Sequence, residues 1–241
     1  MLVRPARSPR LSAAAGAAAV ALLGASGCAA PTAQAPPTTA SPSAAPSAAA
    51  SPAAPLTADR LLDAALVDAD VPQVKTPVRA EEAKREPGKF PPVADPVCRT
   101  YVDARNGEKS FARVRQVYDW KDALYPGGAV LASYEAGAAE RTFADLKKAL
   151  AGCRSFEAET WTGKITVSLA PEPDPRFGDE AVTLREHSTP LAGSDVSTQI
   201  TVVRAGNTIA TFTTMDVDRS ATFPPDLIER QTARLKNAQH P

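Results

Sequence analysis

The chain has 241 residues, with 27 acidic side chains (Asp plus Glu) and 27 basic ones (Lys plus Arg). Its net charge is therefore zero, and it carries no basic run or stripe, so a nucleic acid is not an expected partner. Two cysteines remain for a zinc site if Cys28 serves another purpose, and one of the two histidines, His240, lies next to the terminus, so too few ligands are left. No Gly-rich phosphate loop or cofactor fingerprint occurs. We therefore expect no metal and no cofactor.

The first 27 residues have the form of an export signal. Three arginines precede an apolar, Ala-rich stretch over 11–23, and the small residues 24–27 lead directly to Cys28. This stretch is shorter than the about 20 apolar residues that a membrane-spanning helix needs. A cysteine after small residues resembles a bacterial lipobox, in which a diacylglycerol is attached to the thiol. We predict a lipoprotein signal over 1–27 and a protein held by lipidated Cys28 on the extracytoplasmic face of the cell membrane, with simple secretion as the alternative.

Residues 28–56 are predicted to form a disordered tether. After Cys28 they are almost only Ala, Pro, Ser and Thr, without a charged or aromatic side chain. Such a segment buries too little apolar surface to offset the entropy lost on ordering. The remaining residues, 57–241, have the size of a single globular domain.

The first elements predicted in this domain are a helix, a loop and a hairpin. Thr57 is a suitable N-cap for a short helix. The charged, Pro-rich residues 72–96 are predicted to be an exposed loop. Residues 111–120 alternate between apolar and polar side chains and form one strand, which a turn at 125–128 joins to a second strand over 129–135.

The second half of the domain is predicted to contain two helices and four strands. Apolar residues at helical spacing predict a helix over 137–150. The four strands are expected at 164–169, 180–186, 196–205 and 208–217, the last two joined by Gly206-Asn207. A final helix opens at Pro224-Pro225. Antiparallel strands with helices packed on one face indicate an α+β domain.

Two cysteines remain if a lipid occupies Cys28. Exported domains usually pair such cysteines, because their compartment is oxidising. A Cys98–Cys153 bridge would tie the end of the helix predicted over 137–150 to the Cys98 segment. Two separate buried thiols are the alternative.

The order of elements resembles a known family. The segment 133–135 leads into the Ala-rich helix that ends at Cys153, and Trp161, paired strands and a closing amphipathic helix follow. This order, over about residues 61–235, resembles the PknH-like sensor domain, an extracellular domain of an actinobacterial serine/threonine kinase and of many free lipoproteins. The resemblance implies an α+β fold that binds an unidentified small ligand in a cleft. It transfers only Cys98 and Cys153, as a structural pair.

The sequence contains no pattern typical of a catalytic centre. His187 is the one plausible imidazole base, and no Gly-x-Ser-x-Gly elbow accompanies it, so a surface histidine is the simpler interpretation. Glu135 and Glu140 flank a predicted strand–helix junction, and Asp179 and Glu180 open a predicted strand. The helix dipole and a solvated turn explain these carboxylates without catalysis. We therefore predict that the protein is not an enzyme.

Three aromatic residues, Tyr118, Trp120 and Tyr125, cluster around the first predicted hairpin. They suggest a ligand-binding rim, although core packing of the first two and a turn position for Tyr125 is the simpler alternative. The favoured function is a non-enzymatic sensor-like domain for a small ligand. The alternatives are an interaction module for another envelope protein and, behind it, a carboxylate-dependent cell-wall enzyme.

Overall fold

The computed structural model describes residues 54–84, 91–161, 163–188 and 193–240. The predicted signal, Cys28 and the tether up to residue 53 lie outside these ranges, so their predictions stay untested. In the part of the chain that is described, no helix is long and apolar enough to cross a membrane.

Four α-helices and eight β-strands are formed by the described residues. The helices are α1 (Ala58–Ala64), α2 (Pro96–Arg105), α3 (Ala138–Gly152) and α4 (Pro225–Ala238). The strands are β1 (Arg79–Glu82), β2 (Ala112–Tyr118), β3 (Gly127–Ser133), β4 (Ser155–Thr160), β5 (Gly163–Glu172), β6 (Glu180–Ser188), β7 (Val196–Ala205) and β8 (Thr208–Val217).

All eight strands belong to one sheet, in the order β1-β2-β3-β8-β7-β6-β5-β4. Every neighbouring pair is antiparallel. The chain runs from the β1 edge to the middle of the sheet, continues through α3 to the opposite edge at β4, and returns strand by strand until β8 pairs with β3. The predicted antiparallel sheet of an α+β domain is confirmed.

The helices cover both faces of this sheet. Side chains alternate between the faces along a strand. Leu131 and Phe212 accordingly pack in one apolar cluster with α1 and α4, while their neighbours Ala132 and Ile209 pack in a second cluster with α2 and α3. The sequence pattern predicted helices on one face only. Because the central strands β3, β7 and β8 carry apolar side chains on both faces of the sheet, helices must cover both faces to exclude water.

The predicted disulfide is present. Cys98 and Cys153 are joined with an S–S distance of 2.01 Å and a Cα–Cα distance of 5.0 Å. Cys98 lies in the first turn of α2, whose N-cap Asp95 accepts hydrogen bonds from the backbone of Val97 and Cys98 at 2.9 and 2.8 Å. Cys153 is the residue that ends α3. The bridge therefore fixes the start of one helix to the end of the other.

The domain begins beside the point where its last helix ends. The backbone N–H of Leu56 donates to Ser133 Oγ at 2.7 Å, and Arg60 Nη2, in α1, donates to the carbonyl oxygen of Ala238 at 3.0 Å. Just after α4, Gln239 Oε1 accepts from the backbone of Asn207 at 2.6 Å. Both ends of the domain thus lie at the end of the sheet that carries the β7–β8 turn.

Candidate functional site

A groove of about 350 Å³ lies between the C-terminal half of α3 and strands β5 and β6. Binding sites for small molecules typically have volumes of roughly 300–1,000 Å³. The groove is lined by Lys147, Leu150, Ala151, Arg154, Leu169, Pro171, Asp174, Val182, Thr183 and Leu184. It is thus large enough for a small ligand.

The floor of the groove is apolar. Leu169 on β5 and Val182 and Leu184 on β6 are 9 %, 6 % and 1 % exposed, and they belong to the cluster beneath α2 and α3. The register places Pro171 opposite Leu184, so these side chains share the face that carries α3. The half-buried Leu150 adds to the wall on the helix side. An apolar ligand group placed in the groove would displace water and contact the part of this floor that faces the groove.

Two contacts fix the helix side of the groove. The disulfide holds Cys153 at the end of α3. The carbonyl oxygen of the next residue, Arg154, accepts a hydrogen bond from the backbone N–H of Leu169 at 2.8 Å. The backbone of Arg154 is therefore attached to the strand that supplies part of the floor, and its side chain lines the same groove.

The charges at the rim fall into two kinds. Lys147 Nζ forms an ion pair with Glu180 Oε2, and Arg204 Nε donates to the other carboxylate oxygen at 3.0 Å. The hydrogen bond from Lys147 is the main reason that the pKa of Glu180 lies below its usual range. Arg154 and Asp174 are exposed, and neither forms an ion pair with another residue in the described ranges. The rim thus offers one cation and one anion to a ligand.

A second groove, of about 480 Å³, lies between α2 and α3. It is lined by Pro96, Val97, Thr100, Lys109, Asp145, Lys148, Ala149 and Gly152. Ala149 is the one residue of this set that is buried, and Val97 is 42 % exposed. Because this groove lacks a floor of large buried apolar side chains, the groove beside β5 and β6 is the better candidate.

Two of the three aromatic residues singled out from the sequence, Tyr118 and Trp120, lie in the other apolar cluster, beneath α1 and α4. Tyr118 is fully buried and stacks on Trp120 with ring centroids 5.3 Å apart, and Phe223 packs edge-on against both rings. Burial raises the pKa of Tyr118, and the negative charge of Asp70 adds to this effect. Tyr125 is half-buried in the β2–β3 connection. These positions favour the packing interpretation, while contact with a ligand stays a prediction.

The residues considered for catalysis are not brought together. His187 pairs with Ser197 in the sheet, and its Nδ1 lies 3.4 Å from Asp195 Oδ2. Glu135 and Glu140 are exposed near the start of α3. None of these side chains lines the groove beside β5 and β6.

Asp179 and Glu180 form ion pairs with basic residues of α3, α4 and β7. Asp179 contacts Lys236 at 2.7 Å and Arg204 at 3.3 Å. Partial burial opposes ionisation of Asp179, but its bonds to Gly206, Lys236 and Arg204 outweigh burial and lower its pKa. These pairs connect helices to the sheet. Within the described residues, no three His, Cys, Asp or Glu side chains are placed to hold a metal ion.

The groove does not follow from the sequence pattern, although alternation along the strands predicted at 164–169 and 180–186 puts Leu169 and Leu184 on the apolar side of each strand. The sequence gives one indication for Arg154: it directly follows a cysteine at the end of a predicted helix, so a disulfide would fix its position. Asp174 lies in a Pro-rich break between two strands. No spacing in the sequence shows that these residues meet.

The fold is similar to that of an extracellular domain whose structure has been solved. The crystal structure of the extracellular domain of PknH from Mycobacterium tuberculosis matches with a TM-score of 0.55 and 10 % sequence identity, over 78 % of this chain and 98 % of that domain. No protein family and no curated protein sequence matches the chain. At this identity the similarity concerns the fold alone: the chain shares the overall fold of that extracellular domain.

Proposed function

We propose that the protein is an extracytoplasmic lipoprotein, anchored in the membrane through Cys28, whose non-enzymatic sensor-like domain binds a small ligand between α3 and strands β5 and β6. The observation that carries this proposal is a groove of about 350 Å³ whose apolar floor is formed by Leu169, Val182 and Leu184. It lies in a fold shared with the extracellular domain of a kinase.

Two features support the proposed location. The sequence up to Cys28 has the form of a lipoprotein signal. The Cys98–Cys153 bridge fits an oxidising compartment, because disulfides are rare in proteins that stay in the cytosol. Together they favour a domain that is exported and folds outside the cell membrane.

Binding is favoured over catalysis because of what lines the groove. Its titratable residues are Lys147, Arg154 and Asp174, and Lys147 is already paired with Glu180. Acid–base chemistry on a glycosidic bond needs two carboxyl groups facing one another across a cleft. Asp174 is the single carboxylate in the lining, so the groove offers a surface for recognition.

The alternative function, an interaction module for an envelope protein, rests on a different observation. Leu124 and Trp161 are each 74 % exposed, in the β2–β3 and β4–β5 connections. Large exposed apolar side chains are typical of protein contacts. The two connections are about five strand spacings apart, or roughly 24 Å, because the β2–β3 and β4–β5 pairs lie near opposite edges of the sheet. A groove with a continuous floor is therefore the better-supported site.

Thermal unfolding with and without candidate compounds tests ligand binding in this groove. The full-length chain carrying Cys28→Ala is screened against lipids, glycans and cell-wall fragments, because a ligand that binds only the folded protein raises its melting temperature. Ala151→Trp fills the groove from its exposed helix side. Ala144→Trp is the matched control, since Ala144 is exposed on the same helix but does not line the groove.

We expect at least one compound to raise the melting temperature of the parent and of Ala144→Trp, but not of Ala151→Trp. A stabilisation of about 2.7 kcal/mol is expected at a ligand concentration 100 times the Kd. If every stabilising compound acts equally on Ala151→Trp, the ligand site lies elsewhere and the proposal fails.

A further inference from the structure

The rim of the groove carries two charges that have no ion-pair partner among the described residues. Lys147 is neutralised by Glu180, which leaves the Arg154 guanidinium and the Asp174 carboxylate. Both side chains line the groove, yet no ion pair joins them to each other or to a third residue of the described chain. A ligand that contacts both must itself carry an anion and a cation.

The sheet register separates these two charges along the groove. The backbone of Arg154 is bonded to that of Leu169, and Asp174 follows five residues later on the same chain. At about 3.3 Å per residue, this path spans at most about 16 Å. Leu184 lies opposite Pro171, partway along it, and Val182 is two residues before Leu184. The apolar floor therefore lies between the cationic and the anionic end.

We propose that the groove binds a short peptide with apolar side chains and free, charged termini. Its carboxylate binds the Arg154 guanidinium, whose planar N–H groups match a carboxylate. Its ammonium binds Asp174, and its side chains cover Leu169, Val182 and Leu184. An extended peptide of two to four residues spans roughly 7–13 Å, which fits the separation of the charges. This ligand class rests on the proposed function, because it assumes that this groove is the binding site.

Trileucine and its capped forms are the probes. Binding to the full-length chain carrying Cys28→Ala is measured by isothermal titration calorimetry with trileucine, N-acetyl-trileucine, trileucine amide and the doubly capped peptide. Trileucine should bind best, and each cap should weaken binding about tenfold, since each removes one charge-assisted hydrogen bond. The apolar body is identical in all four peptides, so the comparison isolates the termini.

Three variants connect each terminus to its side chain. Arg154→Gln should bind trileucine and its amide equally, while still preferring the free amine over the acetylated one. Asp174→Asn should bind trileucine and N-acetyl-trileucine equally, while still preferring the free carboxylate over the amide. Lys148→Gln is the control. Lys148 is an exposed cation on α3, and its side chain lines the groove between α2 and α3, so this variant should bind all four peptides as the parent does. Both test substitutions are at exposed residues, so folding should be unaffected.

The outcomes separate the ligand class from the site. Equal binding of capped and free peptides, or no binding of any of the four, overturns the peptide assignment. The proposed function then still stands if another compound stabilises the parent but not Ala151→Trp. If Ala151→Trp binds trileucine as tightly as the parent does, both the ligand class and the groove are wrong.

Discussion

Buried side-chain amides connect the end of α1 and the chain just after it to α4 and to the sheet. Gln231 on α4 is fully buried, accepts from the backbone of Leu66 at 3.0 Å and donates to the carbonyl oxygen of Ala64 at 2.9 Å. Gln116 on β2, also fully buried, donates to the carbonyl oxygen of Leu66 at 2.9 Å. These backbone groups of Ala64 and Leu66 lie at and just beyond the end of α1, where the helical hydrogen bonds stop. The side-chain amides of Gln231 and Gln116 therefore supply the hydrogen-bond partners that buried backbone groups require. The local sequence pattern does not identify these distant backbone partners, because they are brought together only by the packing of α4 and β2 against the chain after α1.

The ion pair between Glu180 and Lys147 predicts a pH dependence of stability. The pKa of Glu180 is lower in the folded protein, mainly because of the Lys147 hydrogen bond, with Arg204 adding to it. A carboxyl group with a lowered pKa stabilises the fold above its unfolded pKa of about 4.3, and this stabilisation is lost as the pH falls towards the folded value. Glu180→Gln should therefore lower the melting temperature at pH 7 by about 1–3 °C, the range for partly exposed pairs, and much less at about pH 3.

Thermal unfolding of parent and variant across this pH range measures the effect. Glu229→Gln is the control, because Glu229 is exposed in the interior of α4, away from the helix ends, and forms no ion pair with the residues described. It should follow the parent at every pH. A Glu180→Gln protein whose difference from the parent is the same at pH 7 and pH 3 would show that the pair contributes nothing through ionisation.

At the scale of elements, the sequence predicts those strands and helices whose side-chain pattern is strong. The predicted ranges 196–205 and 208–217 coincide with β7 and β8, and Gly206 in their turn has a φ of 58°, which glycine adopts at little cost. The helix over 137–150 is also confirmed as α3. In each case local apolar spacing and tertiary burial agree.

Three elements were missed, each for a physical reason. β1 lies within the segment 72–96, which was wrongly predicted as a loop throughout, because all four residues of this edge strand are exposed and only its ladder with β2 defines it. α2 has a narrow buried face of Cys98, Tyr101 and Ala104. β4 is a short edge strand with Phe156 as its one fully buried side chain. Pairing with a neighbour, which no local pattern encodes, determines the edge strands.

The disulfide between α2 and α3 predicts a large loss of stability when it is removed. It closes a loop with a sequence separation of 55 residues. In the chain-entropy description, such a loop contributes about 4 kcal/mol by restricting the unfolded chain. Replacing both Cys98 and Cys153 by Ala should lower the free energy of unfolding in urea by about this amount. Cys28→Ala, which leaves the bridge intact, is the control. A loss below about 1 kcal/mol would contradict the expectation.

At the scale of the whole molecule, the proposed anchor makes a direct prediction. If a lipid on Cys28 holds the protein, Cys28→Ala should move it from the membrane fraction to the soluble extracytoplasmic fraction. Mass spectrometry of the parent should find an acylated N-terminal cysteine. The variant lacking both Cys98 and Cys153 should stay in the membrane fraction, since its anchor is intact. A parent with an unmodified N-terminus, or a Cys28→Ala protein still bound to membranes, would contradict lipid anchoring.

The position of the candidate groove depends on tertiary packing more than the positions of the single helices and strands do. Leu169 and Leu184 are inward-facing from strand alternation alone, yet Arg154, Leu169 and Asp174 become neighbours of Leu184 only because β5 pairs with β6 while α3 lies across both. The position of a helix on a sheet follows from packing along their full length. For this reason, the sequence points to the aromatic residues around the first hairpin, whereas the open groove lies on the other face.

The adjacency of Leu56 and Ala238, joined to the same end of the sheet, has a consequence for protein engineering. A circular permutant becomes accessible, in which a short Gly-Ser linker joins residue 240 to residue 56 and new termini open in the exposed β4–β5 hairpin near Trp161. Such a chain would begin and end at the opposite end of the sheet, while the strands and helices that form the groove keep their places. The site of attachment to any fused partner would then move from one end of the sheet to the other without a change in the groove.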